Sequence, residues 1–596
     1  MQGKNSFFAL KYLIVTFLAL LSFFLVFSYL ASDYPSFIRE LLVSVRRFND
    51  VDDYLSDRRV LFFYEALKYL FFFLLLFFFT CLCNACFRKQ GRLAVWLDRV
   101  TAALLSVLSA NKTCWRQLDP FAQKGLFLIG ALQLFFFLFF LLNIPYHYDE
   151  AWSFVHFSGV GFVQTAVYYP LPNNHIFYNL VSRLFGFLPL PAEVSTRLPS
   201  FFASFIATWY FFKLAHRYFS STLALFVTIL FAAACPVILY SVEGRGYGFL
   251  ICCTVLLFYA ADHFTGLQKD RKYRLLYISA MIAGLYTMPA FLFTVFATSG
   301  ITGGYDLVRK RWRSLWIFLL DNAIAGLAVL LLYAPVVYFS GLAALSNPNG
   351  AARLPLHTLI PLILPHLSST LEFLLGTGVI PLSWILIPLI FTLLSVRTPT
   401  GQKRLLPWLT AGTLLSPLGL LCLFPIIPFE RSWVYLAVPL ALSIGFMLTL
   451  LIGYGKRLPG PGSWRQRWAS WRHPVLISLY AGMLLVLYAN FRKLHRRQFA
   501  IDYTIRTHFE RLGTDIDHIR SIGYTTGSLE YYVAEDLYFQ CYKRNPLKPV
   551  TIKGQDRSGA EDVLILAPDS AARFKLDNYE YIGGRENVYS FFIRKN

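Results

Sequence analysis

The stretch LLNIPYHYDEAW, residues 141–152, ends an apolar run and then sets two carboxylates side by side, Asp149 and Glu150. A carboxylate within reach of a hydroxyl can take its proton as that hydroxyl attacks. Two adjacent carboxylates can also hold a divalent ion. Three further stretches carry chemistry. YYPLPNNHIFYNLVSRLFG (168–186) contains Asn174 and His175, and STRLPS (195–200) follows it. YSVEGRGYG (240–248) contains Glu243, Arg245 and Tyr247. FPIIPFERSWVY (424–435) contains Arg431. Arginine suits phosphate because its planar fork donates two hydrogen bonds at once.

Each feature alone has an ordinary explanation. Acids just beyond a helix are often only solvated. A lone arginine near a membrane face can snorkel to headgroups. His175 can simply make a local hydrogen bond. Together, acids and cations at one interface make a site able to bind a charged lipid headgroup and do acid–base work.

The elements that must position these residues are apolar. Of 596 residues, 56% are hydrophobic and only 15% charged, with 58 Phe and a mean hydropathy of +0.52. Soluble domains carry about a quarter charged residues, so the composition is that of an integral membrane protein. The net charge of +22 would suggest nucleic acid in a soluble chain. Here no RNA-binding signature or basic-aromatic stripe is present, and the charge lies in short loops between apolar segments. The N-terminal apolar run is too long for a signal peptide and lacks a small-x-small cleavage site, so it reads as a first membrane helix.

Nine cysteines are present. Cys81, Cys83 and Cys86 have no nearby His to complete a metal site and read as packing residues or sites of lipid modification. Cys541 stands alone in the polar tail, so no disulfide is expected there.

Segments long enough to cross a bilayer lie near 8–31, 60–87, 125–143, 199–214, 222–241, 247–263, 315–338, 371–395, 405–424, 432–453 and 474–490. The stretch 275–304 contains Pro289 and reads as two helices joined by a tight turn. The total is about thirteen crossings by length alone. Lys and Arg concentrate in alternate loops, at 88–124, 213–221, 264–274, 305–314, 396–404 and 454–473. By the positive-inside rule these are cytoplasmic. Asp149, Glu150 and residues 491–596 then lie on the outer face, as do the longer loops 144–198 and 339–370.

From Arg492 onward the chain turns polar and mixed. IRSIGYTT, DVLILAP and VYSFFIRKN read as strands, and YTIRTHFERLGTDI and TGSLEYYVAEDLYFQCY as helices. The expected organisation is therefore two N-terminal helices with a basic loop (1–124), a helical catalytic body (125–490) and a small C-terminal α/β domain (491–596). The tail, which carries no acid–base motif, is expected to help present or select an acceptor.

HYDEAW, then PLPNNHIFYNLVSRLFG and TRLPS, resembles the first outer loop of the GT-C membrane glycosyltransferases. The branch it is most similar to contains the dolichyl-phosphate-mannose protein mannosyltransferases and the aminoarabinose transferases. EGRGYG resembles the E-x-R-x-Y element of bacterial members, and FERSWVYLAVPLAL a late R-x-Y…P element. The similarity is strongest over about 125–305, weaker to 453, and does not cover 1–124 or 491–596.

The resemblance implies a polyprenyl-phosphate-linked sugar donor and an inverting transfer on the outer face, with Asp149 as the catalytic carboxylate and Glu150 beside it. The branch mostly needs no metal; a divalent ion at Asp149 and Glu150 is the place for one if used. Arg245, Arg431 and His175 are expected at the donor phosphate, and Asn174, Glu243 and Tyr247 at the substrate. One departure is plain: Asn174 and His175 stand where aminoarabinose transferases carry Glu-Lys.

The sequence thus reads as an all-α polytopic membrane protein with a small α/β tail, in a bacterial inner membrane with its site on the periplasmic face. Its partners are a lipid-linked sugar and an acceptor protein, lipid or glycan. The alternatives are a lipid-linked-sugar transporter or flippase, another outer-face ligase or polymerase, and a sensor. Transporters concentrate ionisable residues at the membrane midplane and show repeated halves, and neither is visible here.

Overall fold

The computed structural model describes residues 92–144, 146–169, 173–263, 271–342, 355–376, 383–396, 405–423, 427–457, 484–494, 500–525, 528–544, 550–554, 561–567, 574–585 and 589–595, with short pieces elsewhere. The expected crossings at 8–31 and most of 60–87, the cysteines Cys81, Cys83 and Cys86, and much of 474–483 lie outside the described residues.

The chain divides into two units. The smaller, Met1–Gln123 with Gln268–Leu276, includes helices α1 (Tyr34–Ser44) and α2 (Arg92–Gln117). The larger begins within α3 (Pro120–Asn143). Pro120 sits at the first helical position, where its missing N–H costs nothing, and the Asp119 carboxylate accepts the Ala122 N–H at 2.9 Å. At 24 residues, α3 is about 36 Å long, and it is apolar all round: Phe127 and Leu142 are exposed and Phe137 and Phe140 buried. That is the profile of a helix facing lipid on one side and protein on the other.

The expected outer loop 144–198 is helical in pieces: α4 (Tyr148–Ser153), a short π-helix (Phe154–Ser158), α5 (Phe162–Val167) and α6 (Ile176–Phe185). The body continues with α7 (Ala192–His216), α8 (Ser221–Ala233), α9 (Cys235–Val242), α10 (Tyr247–His263), α11 (Arg271–Thr287) and α12 (Leu292–Val308). Then come α13 (Trp312–Ser340), α14 (Leu356–Leu375), α15 (Ser383–Val396), α16 (Leu405–Leu423) and α17 (Ala437–Arg457). α7 packs along α10 at the centre, where Phe211, Phe212 and Phe258 are fully buried.

Two boundaries differ from the sequence reading. The segment 222–241 is not one straight crossing: α8 and α9 meet at a 60° bend. Pro236 in the first turn of α9 cannot continue the preceding helix. The Ala233 carbonyl freed at the bend accepts a hydrogen bond from Asn490 Nδ2 at 2.6 Å. Likewise, 371–395 is two helices. Gly376, at φ 74°, ends α14, and α14 itself occupies 356–370, which had been assigned to a loop. At 275–304 the chain does break before Pro289, between α11 and α12, with a 3-10 turn at Pro289–Phe291. Among the described residues five helices are long and apolar enough to cross a membrane, six if the bent pair is one span.

The C-terminal domain holds α18 (Ala500–Leu512), a 3-10 turn (Gly513–His518), β1 (Ser521–Tyr524), α19 (Ser528–Arg544), β2 (Thr551–Gly554), β3 (Val563–Leu566), β4 (Tyr579–Arg585) and β5 (Tyr589–Arg594). The sheet order is β2-β1-β3-β5-β4. β1 runs parallel to β2 and β3, and β5 antiparallel to β3 and β4. β3 reads VLIL and is buried at every position, as a central strand covered on both faces must be. Ile505, Phe509, Val533, Leu537, Val563 and Phe591 lie in its core.

At Gly248 the backbone of α10 passes so close to α9 that an added Cβ would lie 2.5 Å from the Tyr240 carbonyl oxygen. A backbone atom cannot move aside as a side chain can. Gly248→Ala is therefore expected to destabilise the protein by about 1–3 kcal/mol, read as a lowered thermal midpoint in detergent. An unchanged midpoint would mean that α9 and α10 separate freely.

Candidate active site

α4 has only six residues, too short to persist on its own. Its start is fixed by a reciprocal capping box. The His147 ring accepts the Asp149 N–H, and the Glu150 carboxylate accepts the His147 N–H at 3.0 Å. Asp149 and Glu150 follow in the first turn, where acids are favoured by the exposed N–H groups.

The two acids then part company. Glu150 is fully buried and spent on structure. Arg197, one turn into α7, donates from Nε to Oε1 at 2.8 Å and from Nη2 to Oε2 at 2.6 Å. The Gly244 N–H donates to Oε1 at 2.5 Å. Glu150 thus ties α4 to α7 and to the 243–246 turn. Its oxygens already accept four hydrogen bonds, which suits Glu150 to orienting the segment that carries Asp149.

Asp149 faces the other way. Its Oδ2 accepts from Arg431 Nη1 at 2.9 Å, and its backbone oxygen from Arg245 Nη1 at 3.2 Å. Burial alone would raise its pKa, but Arg245, His147 and Arg431 outweigh that and hold it below the usual carboxylate range. Arg245 is buried and also donates to Ser153 Oγ and to Asn173 Oδ1. Its Nε has no hydrogen-bond partner among the described residues. Arg431 is half-buried, with the phenols of Tyr247, Tyr240 and Tyr148 around its charge.

Glu243 sits at the C-cap of α9. Burial first, then Glu150 and Asp149, push its pKa up to about 7 against the pull of His147 and Arg245. Two neighbouring carboxylates are therefore pushed apart, Asp149 downward and Glu243 upward, a division typical of acid–base sites. His147, Asp149 and Glu243 offer ligand atoms within 4.8 Å of one another. If the chain held a divalent ion, this trio would be the place for it. Of the expected pair, Asp149 belongs to this trio, and Glu150 is paired with Arg197.

His175 Nδ1 accepts the Gly246 N–H at 2.9 Å, so a neutral ring carries its proton on Nε2. Burial first, then Arg245 and Arg431, drive its pKa well down, and neutral it is. Nε2–H is buried with no partner among the described residues. This close approach explains Gly246: a Cβ there would lie 2.8 Å from the His175 Cβ and 2.6 Å from Thr287 Cγ2. Tyr247 packs edge-on to the His175 ring at 4.9 Å and against Tyr240 at 4.5 Å.

Asn174 does not present its side chain to the site. Its Nδ2 donates to the Thr165 and Tyr168 carbonyls and its Oδ1 accepts from Asn179. The neighbour that does reach the site is Asn173, through Arg245.

The structure thus brings Asp149, Glu243, Arg245, His175, Tyr247 and Arg431 together and sets Glu150 and Asn174 behind them. His147, Asn173 and Arg197 were not foreseen as site residues, although Arg197 lies in a motif the sequence displays. A buried acid needs a buried cation, and that rule applied to Glu150 would have pointed to Arg197. Tyr531 and Tyr532, which touch α4 from the C-terminal domain, carry no sequence signal.

Breaking the buried pair should be costly. Arg197→Met leaves the Glu150 charge uncompensated and is expected to destabilise by about 3–5 kcal/mol. The double variant Glu150→Gln/Arg197→Met should recover part of that loss. Thermal unfolding of the three proteins checks it, and a double variant no better than Arg197→Met would show that the pair's value lies in its hydrogen bonds to His147 and Gly244.

No family model matches the chain, and no curated protein matches it. Among solved structures it is similar to the crystal structure of ArnT from Cupriavidus metallidurans bound to undecaprenyl phosphate, with 14% sequence identity over 78% of this chain and 97% of that chain, at a TM-score of 0.46. It is also similar to that of ArnT from Cupriavidus metallidurans in the apo state, with 15% identity, the same coverage of both chains and a TM-score of 0.45.

Proposed function

We propose that this protein transfers a sugar, with inversion, from a polyprenyl-phosphate carrier to an acceptor hydroxyl at the outer face of a bacterial inner membrane. The observation that carries this reading is the pocket itself: an ionised Asp149 beside Arg431, Arg245 and the unpartnered Nε2–H of His175. A base lies next to donors suited to a phosphate, on a body of apolar helices.

In the proposed reaction the acceptor oxygen attacks the anomeric carbon. The bond from that carbon to the phosphate oxygen breaks, and its electron pair leaves with the phosphate. The acceptor proton goes to an Asp149 carboxylate oxygen. Arg431 donates from Nη1 to Asp149, and its other N–H groups would meet the phosphate. A bound phosphate competes for that guanidinium and so relaxes its hold on Asp149, raising the basicity of the carboxylate when donor is present. Arg245 and His175 stabilise charge on the leaving phosphate from a desolvated position, where such donors act most strongly. Glu243 and Tyr247 hydrogen-bond the sugar.

Asp149→Asn keeps shape and removes the base. Transfer by the purified enzyme is expected to fall at least about a hundredfold, while polyprenyl phosphate still co-purifies by mass spectrometry. A near wild-type rate would sink the assignment.

The pH profile gives a second test. Asp149 acts only when deprotonated, so activity is present above its lowered pKa and lost as pH falls through it. Arg431→Gln removes one of the cations that lower it, so the acid limb should move to higher pH. An unmoved limb would detach Arg431 from Asp149. For sidedness, a reporter fused at Ala500 should register export and one at Arg311 the cytoplasm.

A further inference from the structure

The C-terminal domain does more than stand near the site. α19 presents the adjacent Tyr531 and Tyr532, and Phe539 seven to eight positions further on, two turns of helix away, toward one side. All three meet the segment that carries Asp149. The Tyr532 ring stacks on Tyr148 with centroids 3.8 Å apart and planes at 14°. The Trp152 Nε1–H donates to the Tyr531 hydroxyl at 3.1 Å. Phe539 is fully buried, stacked on Tyr146 at 4.6 Å and edge-on to Phe154 at 5.5 Å. The opposite face of α19, with Val533, Ala534, Leu537 and Cys541, is locked into the core of the C-terminal domain. α19 is thus a rigid element with one side in its own domain and the other on α4.

Asp149 follows Tyr148 directly, in a helix too short to define its own geometry. Glu150 and Arg197 hold α4 from the body side. The contacts from α19 hold it from the other.

We infer that Tyr532 is a positioning residue: by clamping Tyr148 it holds Asp149 in line for proton transfer, so the C-terminal domain governs turnover and not acceptor choice alone. This rests on the reading of Asp149 as the base. Tyr532 itself touches no reacting atom.

The test uses the full-length protein in lipid nanodiscs, with Tyr532→Ala and Tyr532→Phe. Displacing a reacting group by about 1 Å can cost a hundredfold, so Tyr532→Ala should lower kcat by at least ~10-fold with donor KM little changed. Hydrogen–deuterium exchange across 146–158 should rise, and the acid limb of the pH profile should shift upward as Asp149 loosens from Arg431. Tyr532→Phe keeps the stacked ring and should retain turnover and exchange. If Tyr532→Ala does not fold, Tyr532→Leu replaces it, keeping bulk without the flat ring.

Unchanged kcat in Tyr532→Ala, or an equal loss in Tyr532→Phe, overturns the inference. So does a rise in acceptor KM alone, which would leave the domain as an acceptor reader. Raised exchange in Tyr532→Ala, with a parent protein that transfers no sugar, would keep the clamp and overturn the catalytic reading. Unmoved exchange and kcat in an active parent would overturn the clamp alone.

Discussion

Glu150 accepts hydrogen bonds from three separate places in the chain: the His147 backbone, the Arg197 guanidinium and the Gly244 backbone. An isolated carboxylate in this setting would be expelled or protonated. With Arg197 forked onto it, both charges are satisfied and neither can leave without stranding the other. Three segments far apart in sequence must therefore meet at one point. That meeting fixes which way the neighbouring Asp149 faces, and it sets the 243–246 turn where Arg245 can reach it. The polar cluster is braced by this buried ion pair.

The division of labour between adjacent acids follows from helix geometry. Successive residues on a helix point about 100° apart, so the pair at the start of α4 is directed to different partners. Glu150 meets Arg197; Asp149, also buried, meets Arg431. The same logic separates Asn173, which reaches Arg245, from Asn174, which braces the loop ahead of α6.

Much of this was legible in the sequence, for definable reasons. Apolar runs long enough to cross a bilayer announced α3, α13 and α17. Alternation and turn residues marked β1, β3 and β5 and both tail helices. β2 and β4 were missed: TIKG is short and exposed, and YEYIGGR carries two glycines and a bulge. The helix α14 was hidden because Pro361 and Pro365 lie inside it, and proline in a polar-flanked stretch reads as loop. Within the site, motifs exposed Asp149, Glu243, Arg245 and Arg431 because charge is rare in this chain. The resemblance set Asp149 apart from Glu150, but the partner that holds Glu150 was not legible, since Arg197 arrives from 47 positions away. The stacking of Tyr532 on Tyr148 was invisible because tyrosine is common here, with 35 in the chain.

The bend between α8 and α9 leaves the Ala233 carbonyl to be satisfied by Asn490, 257 positions later. Proteins are synthesised from the N-terminus, and early segments fold while later ones are still being made. When α8 and α9 emerge, the cap for their kink does not yet exist. Nor does the aromatic face of α19, which closes over α4 still later. The segments carrying Asp149, His175, Glu243 and Arg245 are thus laid down in the first half of synthesis, Arg431 follows well after it, and the arrangement is completed only near the end, so a chain halted after residue 457 would be inserted in the membrane with this cluster unfinished.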